Sequence, residues 1–118
     1  MSLEHTEAEC AAVAKARRVT LESMQAKIAF KAVFTGDQLP VHFGQLGSMP
    51  ECLSHLTVCI LVMQNGFMII GKSAPAIPEN FNAELGAKLA YEDAIRQLWP
   101  LEGYLLREEA NATKEELI

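Results

Sequence analysis

The chain lacks any apolar run long enough to cross a membrane. Its longest such run, Leu56–Met63, is less than half of the ~20 residues that a spanning helix needs. The N-terminus is acidic, whereas a secretory signal begins with basic residues. We therefore expect a cytoplasmic protein that is neither secreted nor inserted into a membrane.

Cysteine is scarce as well. The three cysteines are odd in number and do not suggest a disulfide framework. Cys52, His55 and Cys59 lie close in sequence, but zinc needs four ligands, and the only further donor is His42 in a loop. We expect no metal and no cofactor.

The chain has no surplus of basic residues. Its 10 Lys and Arg residues stand against 15 Asp and Glu residues, which gives a net charge of −5 at pH 7. A protein that coats nucleic acid needs the opposite balance. With 118 residues, of which 50% are hydrophobic and 21% charged, the composition predicts a single globular domain over 1–118.

The sequence also lacks the common catalytic motifs. It contains no glycine-rich phosphate loop, no nucleophile elbow and no His-Glu-x-x-His zinc motif. Cys52 and His55 are close to each other, but no third group is placed to orient them. We therefore expect a binding protein rather than an enzyme.

The N-terminal half predicts two helical segments and a long loop. Residues 1–18 have helical propensity but few large apolar residues, so we expect an arm or helix that buries little surface. Thr20 is a suitable N-cap for a helix over about 21–31, where apolar residues follow at helical spacing. Residues 36–54 are dense in turn residues, which fits either a functional flap or a disordered excursion.

The strongest local pattern is a β-hairpin over 56–74. Asn65-Gly66 separates two β-rich runs and predicts a two-residue type I′ turn. Both alternating rows of the first strand are largely apolar, whereas a sheet with one wet face has a polar row. We expect helices on one face and a further helix or a second subunit on the other. This favours a homo-oligomer, although a central hairpin buried within one chain explains the pattern nearly as well.

A long amphipathic helix is predicted over about 82–99. Pro100 should end or kink it, a short continuation should be helical after Gly103, and 109–118 should be a loose tail. The predicted fold class is α+β, with an antiparallel hairpin or sheet packed by this long C-terminal helix and by the N-terminal helix over 21–31.

Three side chains are candidates for binding a ligand that contains both a phosphate and an aromatic ring, such as a nucleotide. Phe81 precedes the long helix, where a ring beside free N–H groups can stack a nucleobase, but it also fits a residue that staples the helix start. Arg107 fits either a phosphate contact or a solvated cation. Arg18 belongs to the one doubled basic site, and a solvated pair explains it as simply as a phosphate contact.

Several motifs resemble a small phage family labelled by gene products forty-nine and sixty-six of two phages. The resemblance covers nearly the whole chain. Its most specific motifs are Pro78-Glu-Asn-Phe81 and Trp99-Pro-Leu-Glu-Gly-Tyr104. The motifs are Arg18-Val-Thr20, Val33-Phe-Thr35, Asn65-Gly66-Phe67, Gly71-Lys-Ser-Ala74, Pro78-Glu-Asn-Phe-Asn-Ala-Glu-Leu-Gly86, Lys88-Leu-Ala90, Glu92-Asp-Ala-Ile95 and Trp99-Pro-Leu-Glu-Gly-Tyr-Leu-Leu-Arg107.

This family is similar to, or includes, the first class of Thoeris anti-defence proteins. Those proteins are phage sponges that bind a cyclic ADP-ribose isomer made by bacterial TIR-domain enzymes. The resemblance implies a homo-oligomer, in the cytoplasm of the infected bacterium, that sequesters this molecule without cleaving it. Some members are similar in also holding cyclic oligonucleotides at a second site.

The resemblance also implies roles for individual residues. Phe81 would stack on the adenine, Arg107 would meet the phosphates or stack opposite, and Arg18 would add a phosphate contact. Position 93 often carries Asn in the family, whereas this chain has Asp93. The carboxylate removes a donor and adds a negative charge near an anionic ligand, so the change bears on the role of this position or on the identity of the ligand.

Two other functions are compatible with the sequence. One is a phage protein-interaction module that docks a protein on the apolar hairpin, with Phe81 and Arg107 in structural roles. The other is a small DNA-associated regulator, which the net charge disfavours.

Overall fold

The computed structural model describes residues 3–13, 16–38 and 50–113, and these form an α+β fold, as expected. The three strands make one antiparallel sheet in the order β1-β2-β3, and the longest helix packs across one face of it. The elements are α1 (Leu3–Val13), α2 (Leu21–Gln25), β1 (Ile28–Thr35), β2 (Thr57–Met63), β3 (Met68–Ser73) and α3 (Ala83–Thr113), with short 3₁₀ turns at Gly36–Gln38, Glu51–His55 and Pro78–Asn80.

The helix predicted over 21–31 begins at Leu21, as expected, but its predicted end is wrong. Thr20 caps it through a reciprocal pair of hydrogen bonds with Ser23. The helix ends at Gln25, and residues 28–31 belong to β1. The aromatic and β-branched residues of 28–35 pair with β2 along their length, and this cross-strand packing overrides the local helical spacing.

The hairpin is confirmed, but the predicted two-residue type I′ turn is wrong. The loop has three residues, because the Met63 N–H donates to the Phe67 carbonyl across it (2.8 Å) and the Gly66 N–H donates to the Met63 carbonyl (2.8 Å). Gly66 takes the left-handed conformation (φ 87°) that such a loop needs near its end. Asn65 instead uses its side chain, whose Oδ1 accepts from the Phe67 N–H.

The long C-terminal helix is confirmed, but its predicted end at 99 is wrong. α3 continues through Pro100 to Thr113. Pro100 cannot donate to the Arg96 carbonyl, yet both residues are exposed, so water can satisfy that carbonyl. Of the predicted tail over 109–118, residues 109–113 form the end of α3, and 114–118 lie outside the described residues.

Two further predicted segments are described only in part. The N-terminal arm over 1–18 contains α1. Gly36–Gln38 and Glu51–His55 form the two ends of the predicted loop over 36–54, and the Gly36 N–H donates to the Leu56 carbonyl. Residues 39–49, including His42, lie outside the described residues.

The core lies between α3 and the inner face of the sheet. Met24 from α2, Leu61 from β2 and Ile95 from α3 are completely buried there. The sheet and helix approach so closely that a Cβ on Gly71 would stand 2.1 Å from the Ala90 carbonyl oxygen and 2.8 Å from the Ala94 Cβ. Only a glycine on β3 opposite small residues on α3 permits this separation.

Replacing Gly71 should therefore be costly. We expect Gly71→Ala to lower the free energy of unfolding by about 1–3 kcal/mol or more, because the new methyl group meets backbone that cannot rotate away. Gly103 is the matched control, since a Cβ there meets nothing within 4 Å. Gly103→Ala should raise stability by about 0.5–1 kcal/mol through helix propensity. Urea unfolding of both variants measures the contrast, and equal effects would contradict the close packing.

Candidate functional site

The candidate site lies at the start of α3, where the chain leaves β3. The 3₁₀ turn at Pro78–Asn80 redirects the chain, and the Phe81 N–H donates to the Pro78 carbonyl. Asn82 then caps α3, because its Oδ1 accepts from the Leu85 N–H at 2.9 Å. Phe81 is therefore held, half-buried, immediately before the helix, as its position in the sequence predicts.

A cavity of about 180 Å³ opens beside Phe81. Its walls come from three parts of the chain: the start of β2, the segment after β3 and the first two turns of α3. They combine two rings, several apolar side chains and a few polar groups. The lining residues are His55, Thr57, Ser73, Ala74, Pro75, Asn80, Phe81, Asn82, Leu85, Gly86 and Leu89.

Of the lining residues, only Phe81 was predicted from the sequence as a binding residue, and two of the others, His55 and Thr57, carry polar side chains close to it. The centroid of the His55 ring lies 5.5 Å from the centroid of the Phe81 ring, at an interplanar angle of 50°. Thr57 is buried on the inner face of β2 and is the one polar residue in a row otherwise made of Cys59, Leu61 and Met63. That interruption of an apolar row is the only sequence signal for Thr57, and nothing local links either residue to Phe81.

Arg107 does not reach this cavity within one protomer. At a rise of 1.5 Å per residue, the helix places it about 36 Å beyond the start of α3. Arg107 is exposed and pairs with no carboxylate among the described residues. A shared ligand would require Phe81 and Arg107 from different protomers.

Arg18 is held in an ion pair away from Phe81. Its Nη2 donates to Glu7 Oε1 at 2.8 Å, and its Nη1 donates to the Val19 carbonyl. The hydrogen bond from Arg18 lowers the pKa of Glu7, and the same pair raises the pKa of Arg18. The neighbouring groove, which Arg18 lines, also contains Glu102 and Glu109, so an anion entering it meets carboxylates as well as cations.

Asp93 contacts the sheet. Its Oδ2 accepts from the Lys72 N–H at 2.9 Å, and Gln97, one turn later, donates to the Ile70 carbonyl at 2.7 Å. These two side chains occupy backbone groups on the open edge of β3. The oxygen of an Asn side chain would accept the same bond, so this role does not require the negative charge.

The part of the chain that the structure describes contains no cluster of three or more His, Cys, Asp or Glu residues that could hold a metal ion. Cys52 is exposed, whereas Cys59 is buried, and its burial raises the pKa of the thiol. None of the described helices is both long and apolar enough to span a membrane.

Comparison with known proteins identifies a family. A family model described as "Phage protein (N4 Gp49/phage Sf6 gene 66) family" matches residues 19–110. No curated protein and no solved structure matches this chain significantly. The match includes Phe81, Asp93 and Arg107, and begins just after Arg18.

The Glu7–Arg18 pair should make stability depend on pH. Because the folded pKa of Glu7 lies below its ordinary value of 4.5, its stabilising contribution is complete above that value and is lost as pH falls through the folded pKa. Glu7→Gln should therefore be less stable than wild type at pH 7 and approach it at pH 3. Glu9→Gln, which alters an exposed pair with His5, is the control and should differ little from wild type at either pH. A deficit of Glu7→Gln that is the same at both pH values would contradict this linkage.

Proposed function

Because the chain belongs to the Phage protein (N4 Gp49/phage Sf6 gene 66) family, we propose that it is an anti-defence protein that sequesters a cyclic nucleotide immune signal. The proposed ligand is the cyclic ADP-ribose isomer made by TIR-domain enzymes, with cyclic oligonucleotides as ligands of a second site. The protein binds this molecule without cleaving it and acts in the cytoplasm of the infected bacterium.

The observation that carries this proposal is the cavity beside Phe81. It offers an aromatic ring next to the start of a long helix, where the positive end of the helix dipole attracts anions. A nucleobase stacked on Phe81 would therefore have its phosphates near the positive end of α3. A net-acidic protein can bind a diphosphate in this way because the attraction is local.

Arg107 joins the site only through a second protomer. Its exposure and its lack of a described carboxylate partner leave the guanidinium available to phosphates. Its distance from Phe81 means that α3 of another copy must supply it. The proposal therefore includes a homo-oligomer, and Arg107 contributes where two α3 helices meet.

The outer face of the sheet gives a second reason to propose an oligomer. It is a grid of three residues on each strand, and only Lys72 is charged. Phe30, Met68 and Ile70 are each more than half exposed on it. The grid comprises Phe30, Ala32, Phe34, Val58, Ile60, Val62, Met68, Ile70 and Lys72.

A second copy of this face is the occupant that fits best. Pairing through strand edges is disfavoured, because Asp93 and Gln97 block β3, and β1 carries a bulge and the inward-facing Lys31. The outer face presents no carboxylate and an apolar centre, so two copies can pack sheet on sheet around a two-fold axis. Arg107 would then reach a neighbouring site in an assembly larger than this dimer.

The alternative function is a protein-interaction module. It is favoured by the same exposed apolar face, on which a different phage or host protein would dock. Under that alternative the purified protein is a monomer and binds no nucleotide.

Ligand recovery tests the sponge directly. The protein is incubated with the product of a TIR-domain enzyme, separated from free ligand and heat-denatured. Recovery of the intact molecule supports a sponge, recovery of fragments indicates an enzyme, and recovery of nothing favours the interaction module.

Substitution of the two proposed contacts should weaken binding without unfolding the protein. Phe81→Ala should cost about 1–3 kcal/mol of binding free energy, the range for base stacking on an aromatic ring. Phe67→Ala removes an equally large ring at the hairpin loop and should leave affinity unchanged. Arg107→Glu should abolish binding, whereas Lys88→Glu, the same charge change on an exposed α3 residue, should weaken it far less. If Phe81→Ala unfolds the protein and Arg107→Glu binds normally, both residues are structural.

The dimer interface can be tested with one pair of isoleucines. Ile70→Glu should yield a folded monomer, because Ile70 is 60% exposed within the outer face. Ile77→Glu changes an isoleucine that is 55% exposed but lies outside the sheet, and should leave the dimer intact. Sedimentation at micromolar concentration distinguishes them. A monomeric wild type, or a dimer of Ile70→Glu, would refute sheet-to-sheet association.

A further inference from the structure

Thr57 carries the one buried side-chain oxygen without a hydrogen-bond partner among the described residues. The residue is 3% exposed, and its Oγ1 neither donates nor accepts a bond within the part of the chain that the structure describes. Buried hydroxyls normally have a partner, since desolvating one without compensation is unfavourable. A valine at this position would fill the same space without that cost.

Thr57 borders the cavity beside Phe81, although its hydroxyl is covered. A Cβ on Gly86 would stand 2.6 Å from Thr57 Oγ1 and 3.7 Å from the Phe81 ring, so Gly86 packs against the hydroxyl and lies near the ring. Only glycine at position 86 permits this close approach, because any larger residue there would press on the hydroxyl.

The cavity accepts one ring rather than a whole ligand. Its volume of about 180 Å³ is below the ~300–1,000 Å³ of pockets that enclose drug-sized molecules. Pro75, Leu85 and Leu89 provide apolar walls for a flat ring. Because the rings of His55 and Phe81 contact each other, a third ring has to enter beside them rather than between them.

We propose that the Thr57 side chain rotates to hydrogen-bond the edge of a nucleobase that occupies this cavity against Phe81, since in this structure its hydroxyl is covered. The inference rests on the proposed function, because it assigns a polar contact to the base of that ligand. A hydroxyl both donates and accepts, so it can pair with a ring nitrogen or with an exocyclic amine. The ligand then supplies the missing partner of Thr57. The unpaired hydroxyl lowers the stability of the free protein and is retained because it contributes to binding.

The test compares three variants by thermal unfolding and by calorimetric titration with AMP and with the cyclic ADP-ribose isomer. Thr57→Val should melt at the wild-type temperature or above it, while its affinity for both probes falls by about three- to tenfold. Thr57→Ser keeps the hydroxyl and should bind both probes at close to wild-type affinity. A purely structural Thr57 would not produce this opposition between stability and binding.

Thr35→Val is the matched control. Thr35 lies opposite Thr57 on β1, faces the same side of the sheet and donates its hydroxyl to Asp37. It does not line the cavity. Removing its hydroxyl should therefore lower the melting temperature and leave affinity for both probes unchanged.

The outcomes separate this inference from the proposed function. Wild-type binding of AMP but not of the cyclic molecule, with Thr57→Val weaker for AMP, supports the inference and removes the proposed ligand. Equal affinity of Thr57→Val and wild type for both probes overturns the inference and leaves the sponge in place. Loss of folding or a lower melting temperature in Thr57→Val shows that the hydroxyl is satisfied within the protein, and this also overturns it. If wild type binds neither AMP nor the cyclic molecule, the inference and the proposed function are both refuted.

Discussion

The close approach of α3 to the sheet is the constraint on which the rest of the structure depends. It is possible only because Gly71 on β3 meets Ala90 and Ala94 on α3, with no side chain large enough to separate the two backbones. This seam fixes the direction of the helix across the sheet. Gly86, one turn before Ala90, extends the seam to Thr57 and places the start of α3 over the end of the sheet. The cavity beside Phe81 is a consequence of that placement.

The same packing distributes polar and apolar surface. Asp93 and Gln97 lie on the side of α3 that faces β3 and bond to its open edge, so the helix protects the sheet from edge pairing. The opposite face of the sheet receives no helix among the described residues and keeps large apolar side chains exposed, including Phe30 and Met68. The proposed association of two copies uses this face and not an edge, because α3 covers the other face and its side chains bond to the edge of β3.

The cavity and the distant Arg107 divide the proposed function between recognition of a base and neutralisation of charge. Phe81 and Thr57 provide a ring and a hydroxyl at one end of α3, while Arg107 lies near its other end. Under the proposed function, a single protomer holds one part of a nucleotide and a complete site needs another copy. The proposed sheet-to-sheet dimer does not by itself bring the ends of different α3 helices together, because α3 lies on the opposite face, so the complete proposed site needs a larger assembly.

Local sequence determined the hairpin, the cap at Thr20, the long helix and the position of Phe81 before it, because turn residues, capping side chains and hydrophobic periodicity act over a few neighbouring residues. Local patterns gave wrong predictions at three places. Cross-strand pairing makes 28–31 a strand, and backbone hydrogen bonds give the hairpin a three-residue loop. Solvent exposure allows α3 to continue through Pro100. The cavity could not be predicted, since Thr57 and Phe81 are distant in sequence. They line the same cavity only because Gly71 and Gly86 allow α3 to pack closely on the sheet. The sequence by itself determined the elements and the aromatic ring at the helix start. Only the tertiary structure decided that a buried, unpaired hydroxyl lies beside that ring and that Arg107 does not, because close packing brings distant segments together while a straight helix keeps its two ends apart.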